Sequence, residues 1–216
     1  MNPAIKKVLC ATCISFSLVF SASAALNKQD IDNYNQAAEG DKALVDPTLE
    51  RLTTLIKAEG PTALTLVYLG STQTLKGRDA WMPWTAMKHV EKGLANIDKG
   101  LTLLASESKS LSEQSMLNGL KESYLTQALA ATTYSQLPDM FNHFERGYEL
   151  YLTLLADPNF ESQPFVSSAW VYGYAIKAAL RANDHSQATT WLSVMQRLDD
   201  KNTQTVTAAK RLAEYK

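Results

Sequence analysis

Along most of this chain, apolar residues recur at steps of three and four, the spacing that gathers them on one face of an α-helix. Val45, Leu49, Leu52 and Ile56 form the first such stripe. Asp46 fits a cap for the free amides, and Pro47 at the helix start loses no hydrogen bond. Gly60-Pro61 ends the stripe. The next segment, Pro61 to Leu75, is mixed. Thr65, Val67 and Tyr68 favour a strand, yet Leu64, Val67, Tyr68 and Leu75 fit a helical face. Its neighbours are helical, so a helix is predicted here too, with a turn at Gly77-Arg78-Asp79. Trp84, Met87, Leu94, Ile97, Leu101 and Leu104 then follow at helical steps through Glu91, widened by Val90. This is the clearest amphipathic helix in the chain.

Ser110 and Glu113 have capping-box spacing for a further helix with Leu117, Leu120, Tyr124, Ala128 and Ala131 inside. Leu137-Pro138-Asp139 breaks it. Phe141, Phe144, Tyr148, Tyr151 and Leu155 line the next helix, which Asp157-Pro158 ends. Pro164 opens another, with Phe165, Ala169, Tyr172, Ile176 and Ala179 on one side. Asn183-Asp184 reads as a turn and a cap before Ala188, Trp191, Met195 and Leu198. A short last helix carries Val206, Ala209 and Leu212. Residues 25–45 are polar and read as an N-terminal arm, with a loose helix near Asp30 to Ala38 as the alternative.

The links are short, so consecutive helices should pack as antiparallel neighbours. They group as about 61–104, 110–156 and 164–198, a hairpin every 40 to 50 residues or so, which is the rhythm of a helical solenoid. The expected fold is all-α: seven or eight helices, as antiparallel hairpins stacked into a short α-solenoid, in a single domain over 46–216.

The N-terminus changes where this domain is expected to work. Lys6 and Lys7 precede an uncharged apolar run, Val8 to Phe20, and Ala22-Ser23-Ala24 offers a small-x-small cleavage site. That is the three-part pattern of a secretory signal peptide, with cleavage after Ala24. The run is shorter than the roughly 20 residues of a membrane span. Neither Cys10 nor Cys13 follows the full apolar stretch, which argues against lipidation. The flanks look bacterial, so a periplasmic or secreted protein is expected. Both cysteines fall in this segment, and their removal takes disulfides, thiolate metal sites and cysteine nucleophiles with them. Losing Lys6 and Lys7 also moves the net charge from −1 to −3. Without a basic block, nucleic acid is not an expected partner.

The stretch Ala175 to Leu198 resembles a tetratricopeptide unit. Ala175 and Ala178 stand at small positions on the first helix, Asn183-Asp184 in the turn, Ala188 at a small position on the second helix and Trp191 at a bulky one. The turn lacks the usual glycine, and the other hairpins match less well and are longer. The resemblance implies an α-solenoid that holds other proteins on a concave face. The run Gly77 to Trp84 is also similar to a segment of small exported bacterial proteins with such repeats and no assigned activity.

Two clusters carry candidate chemistry. In the first, Trp81 and Trp84 form an aromatic wall and Arg78, beside Asp79, grips a ligand carboxylate. Alternatively this is a packed loop in which Arg78 and Asp79 satisfy backbone groups and the tryptophans seal the core. In the second, Trp170 and Tyr174 share one helical face while Tyr172 points elsewhere, so one of these faces is free to line a groove. His89, His143 and His185 have no metal-ligand spacing, and no cofactor motif is present. Ser106 to Lys109 matches Ser-x-x-Lys, but its partner motifs are missing. The expectation is an interaction or adaptor module for another envelope protein. The alternatives are a small-molecule or lipid-binding helical protein, with Trp81, Trp84 and Arg78 as lining, and an enzyme of unrecognised type.

Overall fold

A computed structural model describes residues 25–215; the predicted export segment lies outside the described residues. The described chain is all-α, with ten α-helices and one minimal hairpin. None of these helices is long and apolar enough to cross a membrane.

Helix α1 (Lys28–Glu39) opens on a reciprocal cap, in which the Asn27 side chain accepts from the Asp30 amide and Asp30 accepts from the Asn27 amide, both at 3.1 Å. Ile31, Tyr34 and Ala37 fall at steps of three and are buried. Most of the arm expected over residues 25–45 is therefore a helix with one buried face, followed by a 3₁₀ turn at Lys42–Leu44. Polar residues on its outer face mask a narrow apolar stripe. In α2 (Val45–Glu59) Asp46 is not the cap. Leu44 holds that position without a side-chain bond, and Asp46 instead accepts from Lys76 Nζ at 2.6 Å.

Helix α3 (Ala63–Arg78) begins at Thr62, which exchanges bonds with Thr65. It runs through Gly77 and Arg78, so the turn to α4 (Pro83–Ser106) starts later than expected. The reason is close packing. A Cβ added to Gly70 would lie 2.4 Å from the Gly93 carbonyl oxygen, and one on Gly93 would lie 2.5 Å from that of Gly70. Gly77 and Gly100 meet the facing backbone in the same way. Four glycines, seven apart on each helix, thus let the two backbones touch. This turns α4: its buried line is Val90, Gly93, Leu94, Ile97 and Gly100, while Trp84 of the expected stripe lies outside.

The Ser110–Glu113 cap forms, but it closes only a short 3₁₀ turn. Strands β1 (Met116–Leu117) and β2 (Leu120–Lys121) follow, joined by Asn118-Gly119. Both turn residues have positive φ, 50° and 77°, as a two-residue hairpin turn requires. Helix α5 (Glu122–Gln136) therefore starts later than the capping spacing suggests. Then come α6 (Phe144–Leu155), the short α7 (Pro158–Glu161), α8 (Phe165–Arg181), α9 (His185–Asp199) and α10 (Thr203–Glu214). Asn183 takes the left-handed turn conformation, φ 59°, and Asp184 accepts from the Gln187 amide at 2.9 Å.

The most extensive contacts join α3 to α4, α5 to α6 and α8 to α9, the three expected hairpins. The first two hairpins meet mainly through α3 on α5, and the third packs its α8 on both α5 and α6. Helices α1 and α2 cover α3, and α10 covers α8 and α9. Helix α3 is thereby enclosed, and even Ser71, Thr72, Gln73 and Thr74 are buried.

Candidate functional site

The end of α3, the start of α4, the end of α5 and the middle of α8 leave a cleft where the hairpins meet. It has a volume of about 670 Å³, within the range of ligand pockets. One wall comes from α3 and α4, with Leu75, Gly77, Met87 and Val90. The opposite wall is Leu137, Pro138, Met140 and Phe141, from the break after α5. That break exists because Pro138 cannot continue a helix. Tyr34 of α1 and Tyr174 of α8 complete the lining.

The lining is mainly apolar, with a few hydroxyls set among it. Thr133 lines the cleft and shares a 2.7 Å hydrogen bond with buried Ser71, while donating to the Leu129 carbonyl at 2.9 Å. Thr132, on the same rim, shares a 2.8 Å bond with the Tyr151 hydroxyl. Burial pushes the Tyr34 phenol up to about 12, although the facing Ser71 and Thr133 hydroxyls pull it down. These groups are neutral at physiological pH. They suit an uncharged or weakly polar occupant of the cleft body.

Arg78 reaches this cleft but is occupied. Its Nε and one terminal nitrogen donate to the two Asp79 oxygens at 2.9 and 3.0 Å. Two further bonds, each 3.1 Å, go to the carbonyls of Ala37 and Ala38 at the end of α1. Four of its five donors are thus engaged, and a positive charge stands at a helix C-terminus, where the dipole favours it. The Arg78 hydrogen bond is also the main reason that the Asp79 carboxyl is held below its ordinary value. Between the two roles weighed for Arg78, the bonds made here are the backbone-satisfying one.

Trp81 and Trp84 do not seal the core. They are 91% and 69% exposed. Trp81 borders a separate shallow hollow of about 270 Å³ with Lys76, Asp79 and His89. Together with exposed Met82 and Met140 the tryptophans give this end of the molecule an apolar surface. Trp170 and Tyr174 meet edge to face with ring centres 6.3 Å apart. Tyr174 faces the cleft, while Tyr172 is buried against Phe160 and Phe165. Of the six residues singled out from sequence, only Arg78 and Tyr174 line the main cleft.

Tyr34, Thr133, Met87 and Phe141 were not singled out. The Leu-Pro break at 137–138 was the one sequence signal near this wall. Among the described residues, no group of three or more His, Cys, Asp or Glu side chains could hold a metal ion. No protein-family model, curated protein or solved structure matches this chain.

Proposed function

We propose that this protein binds a small, largely apolar molecule in the cleft between α3, α4, α5 and α8, and acts as a carrier or receptor for it. The observation that carries this reading is the cleft itself: about 670 Å³, apolar walls from separate hairpins, and hydroxyl groups at a few points. Apolar ligands gain affinity from the surface they remove from water, and the hydroxyls supply orientation. The serial contact of three hairpins fits a short solenoid, and the signal-like N-terminus fits work in the periplasm or outside the cell.

The test is fluorescence titration with N-phenylnaphthylamine, an apolar dye that brightens on leaving water. The expected result is saturable binding at one site per chain. Met87→Trp, which narrows the cleft, should weaken that binding at least tenfold, about 1.4 kcal/mol. Absence of saturable binding by a folded wild-type protein would reject the proposal.

A second reading rests on the exposed Trp81, Met82, Trp84 and Met140 surface. Aromatic and Met side chains are favoured contact residues at protein interfaces. In this reading the module docks on an envelope protein. Crosslinking in an envelope preparation should then capture a band that the Trp81→Ala, Trp84→Ala double variant loses; a band that both retain counts against it.

A further inference from the structure

A second cavity, of about 540 Å³, adjoins the apolar cleft. Gln136, on the last turn of α5, lines both. On α8, Tyr174 lines the first and Lys177 the second, one helical turn apart on the same face. The two cavities are therefore consecutive along the groove between α5 and α8.

The second cavity is cationic. Lys177, Arg181 and Arg211 line it. Arg181 is committed, to the Ser135 carbonyl at 2.8 Å and to Asp139. Lys177 and Arg211 bond only to neutral oxygens. Lys177 donates to the Gln136 amide oxygen at 2.6 Å, and Arg211 reaches only the Gly173 carbonyl at 3.4 Å. Neither has a carboxylate partner among the described residues. The one acidic side chain in the lining, Glu214, is 3.9 Å from Lys210. Burial lowers the affinity of Lys177 for its proton, and Arg211 and Arg181 lower it further. Such an ammonium gains from any anion placed beside it.

We infer that the ligand is a single-chain anionic amphiphile, its apolar chain in the cleft and its head on Lys177 and Arg211. This rests on the cleft being a ligand site, as proposed above. The head takes the place of Gln136 on Lys177, and the amide swings outward to solvent, where its side chain already lies. The chain passes Tyr174 and ends between Met87 and Phe141.

The experiment is calorimetric titration of the purified full chain with dodecanoate and with dodecanol, which differ only in the head. The acid should bind at least tenfold more tightly than the alcohol. In Lys177→Gln and in Arg211→Gln, each checked for an unaltered melting temperature, the acid-to-alcohol affinity ratio should fall towards one. Equal affinities in the wild type would overturn the amphiphile inference and leave the apolar-ligand reading standing. Failure of both probes would overturn both. An anionic lysophospholipid that outcompetes dodecanoate would support the inference and identify a bilayer-derived source; the reverse order would support it with a free acid as the source.

Discussion

Single side chains in this protein differ sharply in what they contribute, and burial decides it. Trp191 is 4% exposed and packs edge to face against Tyr148, whereas Trp81 and Trp84 stand largely in solvent. Trp191→Ala should cost about 3–5 kcal/mol. Trp81→Ala and Trp84→Ala should each stay within about 0.5 kcal/mol of wild type. Chemical denaturation of the three variants checks this contrast. The Arg78–Asp79 pair adds a pH dependence. The folded state lowers the Asp79 proton affinity through the Arg78 bond, so the pair stabilises the fold fully above the ordinary carboxylate range. That stabilisation declines as pH drops through this range and is gone below the folded-state value. Asp79→Asn should therefore be destabilising at neutral pH, with the difference from wild type vanishing in acid. Parallel melting curves from pH 7 to pH 2 would show a constant difference if the pair contributed nothing.

At the level of elements, the α3–α4 hairpin is held by what it lacks. Gly70, Gly77, Gly93 and Gly100 remove the side chains that would keep the backbones apart. Gly93→Ala improves helix propensity by about 1 kcal/mol. Yet its methyl would stand 2.5 Å from the Gly70 carbonyl oxygen, and backbone cannot step aside as a flexible side chain can. Overpacking should prevail, at about 3 kcal/mol net loss. A neutral or raised Tm for this variant would mean that the helices separate at little cost. The same elements show where local patterns held. The Asp184 cap, the Asn183 turn and the Gly60 stop are as the residue types suggest. The Ser110–Glu113 cap also forms, but Asn118-Gly119 turns the chain before a helix can grow from it. That dipeptide was the available signal for the hairpin.

Across the whole molecule, the hairpins stack so that α1, α3, α4, α5 and α8 each give residues to one cleft. A ligand there bridges helices of all three hairpins, so it should stabilise the entire fold. At a hundredfold excess over its Kd an apolar ligand should add about 2.7 kcal/mol and raise the Tm accordingly. Differential scanning calorimetry with and without N-phenylnaphthylamine reads this directly, and an unshifted transition would show that the bound dye is not linked to the folded state.

The sequence by itself determined the all-α class, the three hairpins and most helix ends, because periodicity, caps and breakers act between residues three or four apart. The face that α4 buries, the exposure of Trp81 and Trp84, and the cleft with its cationic neighbour were decided only by the tertiary structure. Each depends on groups far apart in the chain: Gly70 against Gly93, Tyr34 beside Thr133, Gln136 beside Lys177. A local pattern records which residues prefer the inside. It does not record which backbone comes close enough to exclude them, or which helix ends stop short and leave a space.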